Sequence, residues 1–92
     1  MRQIRVRSKA RFDLFEIQKY TQEFWGDSKV IELQNLIDAT FSLLLFSPRI
    51  GRKTNRRHSY AYTLSKLPFV MLYSFNEKFL YINKIIHTKQ NR

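Results

Sequence analysis

The chain has 92 residues, 43% of them apolar and 15% aromatic, with two glycines, two prolines, no cysteine and a formal net charge of +10. That length predicts a single domain, residues 1–92, with one hydrophobic core and no separate cofactor domain, and the composition is that of a packed globule. The missing cysteine excludes disulfides, thiolate chemistry and every cysteine-containing zinc pattern, and two histidines are a poor metal set, so neither metal nor cofactor is expected. The longest apolar run, "FSLLLF", is far below the roughly 18 residues that span a bilayer, and the charged start "MRQIRVRSKARF" lacks the apolar stretch of a secretory signal. A cytoplasmic protein with no membrane partner is expected.

In chain order, "RQIRVR" alternates, with Ile4 and Val6 on one side and Arg5 and Arg7 on the other, the period of a half-buried strand. Ser8 is a fitting helix cap. Ala10, Leu14, Ile17, Thr21 and Phe24 then recur at helical spacing, widened by Phe15 and Tyr20, and predict an amphipathic helix over 9–24. "WGDS" ends it, with Gly26 as a left-handed terminator, Trp25 as a core anchor between the helices, and Asp27 or Ser28 capping a second helix over about 28–46. Val30, Leu33, Ile37, Phe41, Leu44 and Leu45 form its inward face, and Ser47-Pro48 stops it. The short link predicts an antiparallel helical hairpin. "PRIGRKTNRRH" reads as a loop, "SYAYTL" as a strand, "FVMLYSF" as a central strand, and "KFLYINKII" as a last strand after a tight turn at "NE". The expected fold is α+β: a four-stranded antiparallel sheet in the order β-α-α-β-β-β, with the helical hairpin packed on one face.

Charge divides the same way. Residues 1–11 carry a net +5, residues 12–48 a net −4, and residues 49–92 a net +9. An acidic helical layer and a basic sheet layer follow, the latter presenting a positive field to a polyanion or an acidic partner. Arg52, Lys53, Arg56 and Arg57 form the densest cationic stretch. It is either a solvated loop or an anion clamp built on the fixed fork of arginine. His87 closes the last strand beside Lys89. General acid–base work needs a neighbour that holds the imidazole in one tautomer, and the nearest acid in sequence is Glu77, so strand termination or partner contact is preferred over catalysis. Tyr60, Tyr62, Tyr73 and Tyr81 could stack bases, but at alternating positions in a covered sheet they read as packing residues.

The pieces "FWGDSK", "FSLLLFSPRIGR", "LPFVMLY" and "IIHTKQN", in this order over nearly the whole chain, resemble the ParE/RelE superfamily of bacterial type II toxin–antitoxin toxins. The ParE branch is the nearer one. RelE-like ribonucleases usually place an arginine in the strand occupied here by "FVMLY" and often carry an aromatic residue near the C-terminus, whereas this strand has no cation and no aromatic follows Tyr81. The resemblance implies a plasmid-stabilising type of toxin that inhibits DNA gyrase without catalysis of its own. It also implies a cognate acidic ParD-like antitoxin and a toxin–antitoxin hetero-oligomer. Arg52, Arg56, Arg57, His87 and Lys89 are the candidate partner- and anion-binding residues; no catalytic residue is assigned. The alternatives are a RelE-like endoribonuclease cutting mRNA on the ribosome, or a non-toxic interaction module of the same fold.

Overall fold

A computed structural model describes residues 2–64 and 66–88. The elements are β1 (Gln3–Val6), α1 (Ser8–Trp25), α2 (Asp27–Phe46), β2 (Arg52–Lys53), β3 (Tyr60–Thr63), β4 (Phe69–Phe75) and β5 (Phe79–His87). They form a five-stranded sheet in the order β1-β5-β4-β3-β2. The α+β class and the helical hairpin agree with the sequence; the four-stranded, wholly antiparallel sheet does not. β1 pairs with β5 in parallel, from Gln3 opposite Phe79 to Val6 opposite Ile82. Alternation specifies which side of a strand is apolar and says nothing of its neighbour or direction. Parallel neighbours need a long crossover, and the hairpin with the remaining strands supplies it. The fifth strand, β2, is two residues of Arg and Lys, too short and too polar to show any period.

The helices cover one face of the sheet. Opposite partners lie on the same face, so the register places Val6, Ile82, Tyr73 and Tyr60 in one inward row. That row and Met71, Leu80 and Ile85 meet Ala10 of α1 and Leu33, Ile37 and Leu44 of α2 in the core cluster. Met71, Tyr73, Leu80, Ile82 and Leu44 are completely buried. Asp13 of α1 fastens the layers: its carboxylate accepts the Ile85 N–H at 3.0 Å and the Lys9 ammonium at 2.7 Å. The β4–β5 register slips between Leu72 and Tyr73, so that Leu72 faces Lys84 while Tyr73 faces Ile82, a bulge that leaves Asn83 unmatched just before that anchor.

One residue separates the helices. Gly26 (φ 87°, ψ 177°) sits in a region essentially restricted to glycine, donates to Gln22 O at 3.1 Å, and accepts from Val30 N at 3.3 Å. The caps differ from the expected ones: Arg7 occupies the first cap and Gly26 the second, neither with a side-chain bond, so Ser8 and Asp27 are already helical. Asp27 still favours the positive end of α2 and accepts from Gln22 Nε2 at 3.1 Å.

Candidate partner surfaces

The chain between α2 and β3 is held from beneath. The Tyr73 hydroxyl donates to Pro48 O at 2.7 Å and accepts the Gly51 N–H at 2.9 Å. A Cβ on Gly51 would lie 2.5 Å from that hydroxyl and 2.8 Å from Ala61 O, so the close approach requires glycine. Burial pushes the Tyr73 hydroxyl above its ordinary pKa of 10.0, a rise opposed by the Gly51 N–H and reinforced by the neighbouring Tyr60 and Tyr62. Tyr60 stacks on Tyr73 with ring centroids 5.6 Å apart and accepts a long 3.4 Å bond from Arg49. Packing is thus the work of these two tyrosines. Tyr62 and Tyr81 are half-buried.

The cationic residues expected to act together are spread out. Arg56 and Arg57 are exposed in the loop closing β2 onto β3, which is shaped by bonds from Thr54 N to Ser59 O and from Ser59 N to Arg56 O, and by His58 in the left-handed region (φ 60°). Arg52 shares a row with Ala61, Leu72 and Lys84, on the face away from the helices, and donates to Thr63 Oγ1 at 3.2 Å. His87 pairs with Phe69 in a row whose parity is that of the helix-covered face, and its ring meets Phe69 edge-on at 5.0 Å. Its strand end is opposite to the end bearing the Arg56–Arg57 loop, because that loop precedes Tyr60, which faces Tyr73 and not Phe69. Lys89 lies outside the described residues. Among the described residues no three His, Cys, Asp or Glu side chains gather as a metal set.

Two surfaces are prominent beyond the residues singled out as the candidate site. The first is on the helices and their ends: Phe12, Phe15, Tyr20, Phe24, Trp25 and Ile31 are each about 60% exposed, and Phe46 is 83% exposed. Trp25, expected as a core anchor, is 65% exposed, at the end of the hairpin from which no residue between 18 and 32 joins the core. Tyr20 and Phe24 pack on each other, with centroids 4.6 Å apart. Exposed aromatic surface on this scale makes the hairpin a candidate partner surface. The signal is present in the sequence: helix α1 has apolar residues on more than one stripe, and Phe15 and Tyr20 fall outside the core-facing one.

The second is on the open face of the sheet. Arg5 lies over the Phe79 ring at 4.5 Å and Arg7 over the Tyr81 ring at 4.4 Å. Each exposed stack of this kind contributes about 0.5–1 kcal/mol. The alternation in "RQIRVR" placed both arginines on one side, but only the parallel β1–β5 pairing shows which rings they meet.

Comparison with known proteins places the chain. The family model described as ParE toxin of type II toxin-antitoxin system, parDE, matches residues 4–92. No curated protein matches in sequence. Among solved structures, one from the chromosomal ParDE TA system of P. aeruginosa superposes with a TM-score of 0.81 at 21% identity, covering 95% of this chain and 96% of that one. At that identity the structural likeness speaks for the fold, and the family match over nearly the full length speaks for kinship. The chain belongs to the ParE toxin family of type II toxin–antitoxin systems.

Proposed function

We propose that this toxin acts by binding DNA gyrase and holding it on cleaved DNA, and that a cognate acidic ParD-like antitoxin neutralises it in a hetero-oligomer. The observation that carries the non-catalytic reading is strand β4. The ribonuclease branch that the chain also resembles usually has an arginine in this strand, whereas here Met71 and Tyr73 are fully buried and Leu72 is half-buried. General acid–base cleavage of RNA needs a proton-transfer group within reach of the reacting hydroxyl and cations placed at the phosphate. His87 lies at the far end of β5 beside Phe69, on the opposite face from Arg52. The antitoxin reading is supported by the exposed aromatic surface of the hairpin, which a partner segment with an apolar side can cover.

Purified gyrase with relaxed plasmid and ATP tests the proposal. Added toxin should accumulate linear, protein-linked DNA, and pre-mixed antitoxin should prevent it. Codon-specific mRNA cuts in programmed ribosomes, lost in His87→Ala, would instead assign the ribonuclease activity.

A further inference from the structure

The cations of the open sheet face have an order that a merely solubilising surface does not require. In register, Arg5 faces Tyr81, yet its guanidinium reaches back over Phe79; Arg7, two residues on, repeats the offset and lies over Tyr81. The rings themselves are neighbours, with centroids 5.8 Å apart. Stacking holds each guanidinium over a ring and consumes none of its N–H donors. Arg5 Nη1 makes one contact at the limit of hydrogen-bond length, to Ile4 O at 3.5 Å. Among the described residues both ion pairs, Lys9–Asp13 and Lys29–Glu32, lie within the helices, so no carboxylate occupies these donors. Lys84, exposed at the bulge, and Arg52, exposed on the edge strand β2, extend the same face across the sheet.

We propose that this face, through Arg5, Arg7, Lys84 and Arg52, binds the phosphate backbone of duplex DNA without sequence preference. Three features favour that occupant. Arg5 and Arg7 are about 6.6 Å apart along an extended strand, close to the separation of successive phosphates on one DNA strand, where the axial rise of about 3.4 Å adds to the winding of the backbone. From β1 to β2 the cations span four strand intervals, about 19 Å, the scale of a duplex and wider than one extended peptide. The positions between them, Ala61, Ser74 and Leu72, are small or partly buried and project little for the side chains of a peptide to interlock with. A lipid surface is disfavoured because the exposed large apolar residues lie on the helices and at Ile50, none of them in a strand of the sheet. The contact would let the toxin touch DNA held by its target, but it is a contact to phosphate and stands whether or not that target is gyrase.

The test is fluorescence anisotropy of a labelled random-sequence 20-base-pair duplex with the toxin alone, titrated over a range of salt. Four phosphate contacts give a slope of log K against log salt of about −3.6. Arg5→Gln with Arg7→Gln should make that slope shallower by about 2, whereas Arg56→Gln with Arg57→Gln in the loop should leave it unchanged. Tyr81→Leu keeps every charge, so the slope should hold while affinity falls several-fold; Arg7→Lys should behave likewise and covers the case in which Tyr81→Leu fails to fold. An equal loss of slope in the loop variant would show diffuse attraction to a basic protein and overturn the proposal. So would the absence of binding at low salt, or a glutamate decamer that binds where the duplex does not, which would assign the face to an acidic protein partner. No gyrase enters the measurement, so this proposal and the gyrase reading fail separately.

Discussion

Tyr73 shows how one residue ties the sequence signature of the family to its structure. "FSPRIGR" has no obvious need for its proline and glycine at those positions until the buried hydroxyl is seen donating to Pro48 O and accepting from Gly51 N. Tyr73→Phe leaves the packing volume in place but strands the Gly51 N–H and the Pro48 carbonyl. A loss of about 1–3 kcal/mol is expected by denaturant unfolding at neutral pH. The pH dependence has a definite sign. The hydroxyl ionises at a higher pH in the folded chain than in the unfolded one, so between the two values the folded state holds more protons, and stability falls as pH rises. The Tyr73 contribution is therefore full below pH 10, and the gap between parent and Tyr73→Phe should shrink only above it. A gap that is constant into strong alkali would refute the assignment. Gly51→Ala tests the same contact from the other side, and should cost about 1–3 kcal/mol because the nearest obstacle besides the tyrosine is a backbone carbonyl.

At the scale of elements, periodicity located both helices and the long strands to within a residue or two, because Leu33, Ile37 and Leu44 recur at helical spacing and Val70 to Tyr73 form an unbroken apolar run. It could not supply the parallel β1–β5 pairing, which depends on where the chain returns in space. Nor could it find β2, held by only two residues against Tyr60 and Ala61. The candidate site was legible as charge and not as place: Arg52, Arg56 and Arg57 adjoin in sequence, yet the first lies on the open face and the others at a loop tip. The aromatic hairpin failed for a different reason. Phe24 falls on the inward stripe of α1, but the core takes nothing from α1 beyond Ile17, so a residue with core spacing ends up 64% exposed. Two variants separate conformation from contact here. Gly26→Ala meets nothing within 4 Å, so its cost is purely backbone strain, about 1–3 kcal/mol, read as a lowered melting point. Trp25→Ala should leave stability within about 0.5 kcal/mol, since the indole is mostly in solvent.

For the whole molecule, the two layers suit a division of labour under the proposed function. The helical layer is acidic and covered with aromatic surface; the sheet layer and its loop are basic. On the proposed antitoxin reading, long-range attraction of an acidic partner to the basic layer governs the rate of encounter, and is screened within about 8–10 Å at ordinary salt. Apolar contacts act only at touching distance and so govern the rate of escape. Surface plasmon resonance with the cognate antitoxin should therefore split the two. Arg56→Glu with Arg57→Glu should slow association at low salt by about tenfold and converge on the parent at high salt, with dissociation unchanged. Trp25→Ala or Phe15→Ala should leave association alone and speed dissociation, by about 30-fold if the side chain is a buried anchor in the complex, the equivalent of roughly 2 kcal/mol. If the aromatic variants bind like the parent while the charge variants lose both rates, the antitoxin sits on the sheet layer, and the exposed hairpin must then serve the toxin's target instead.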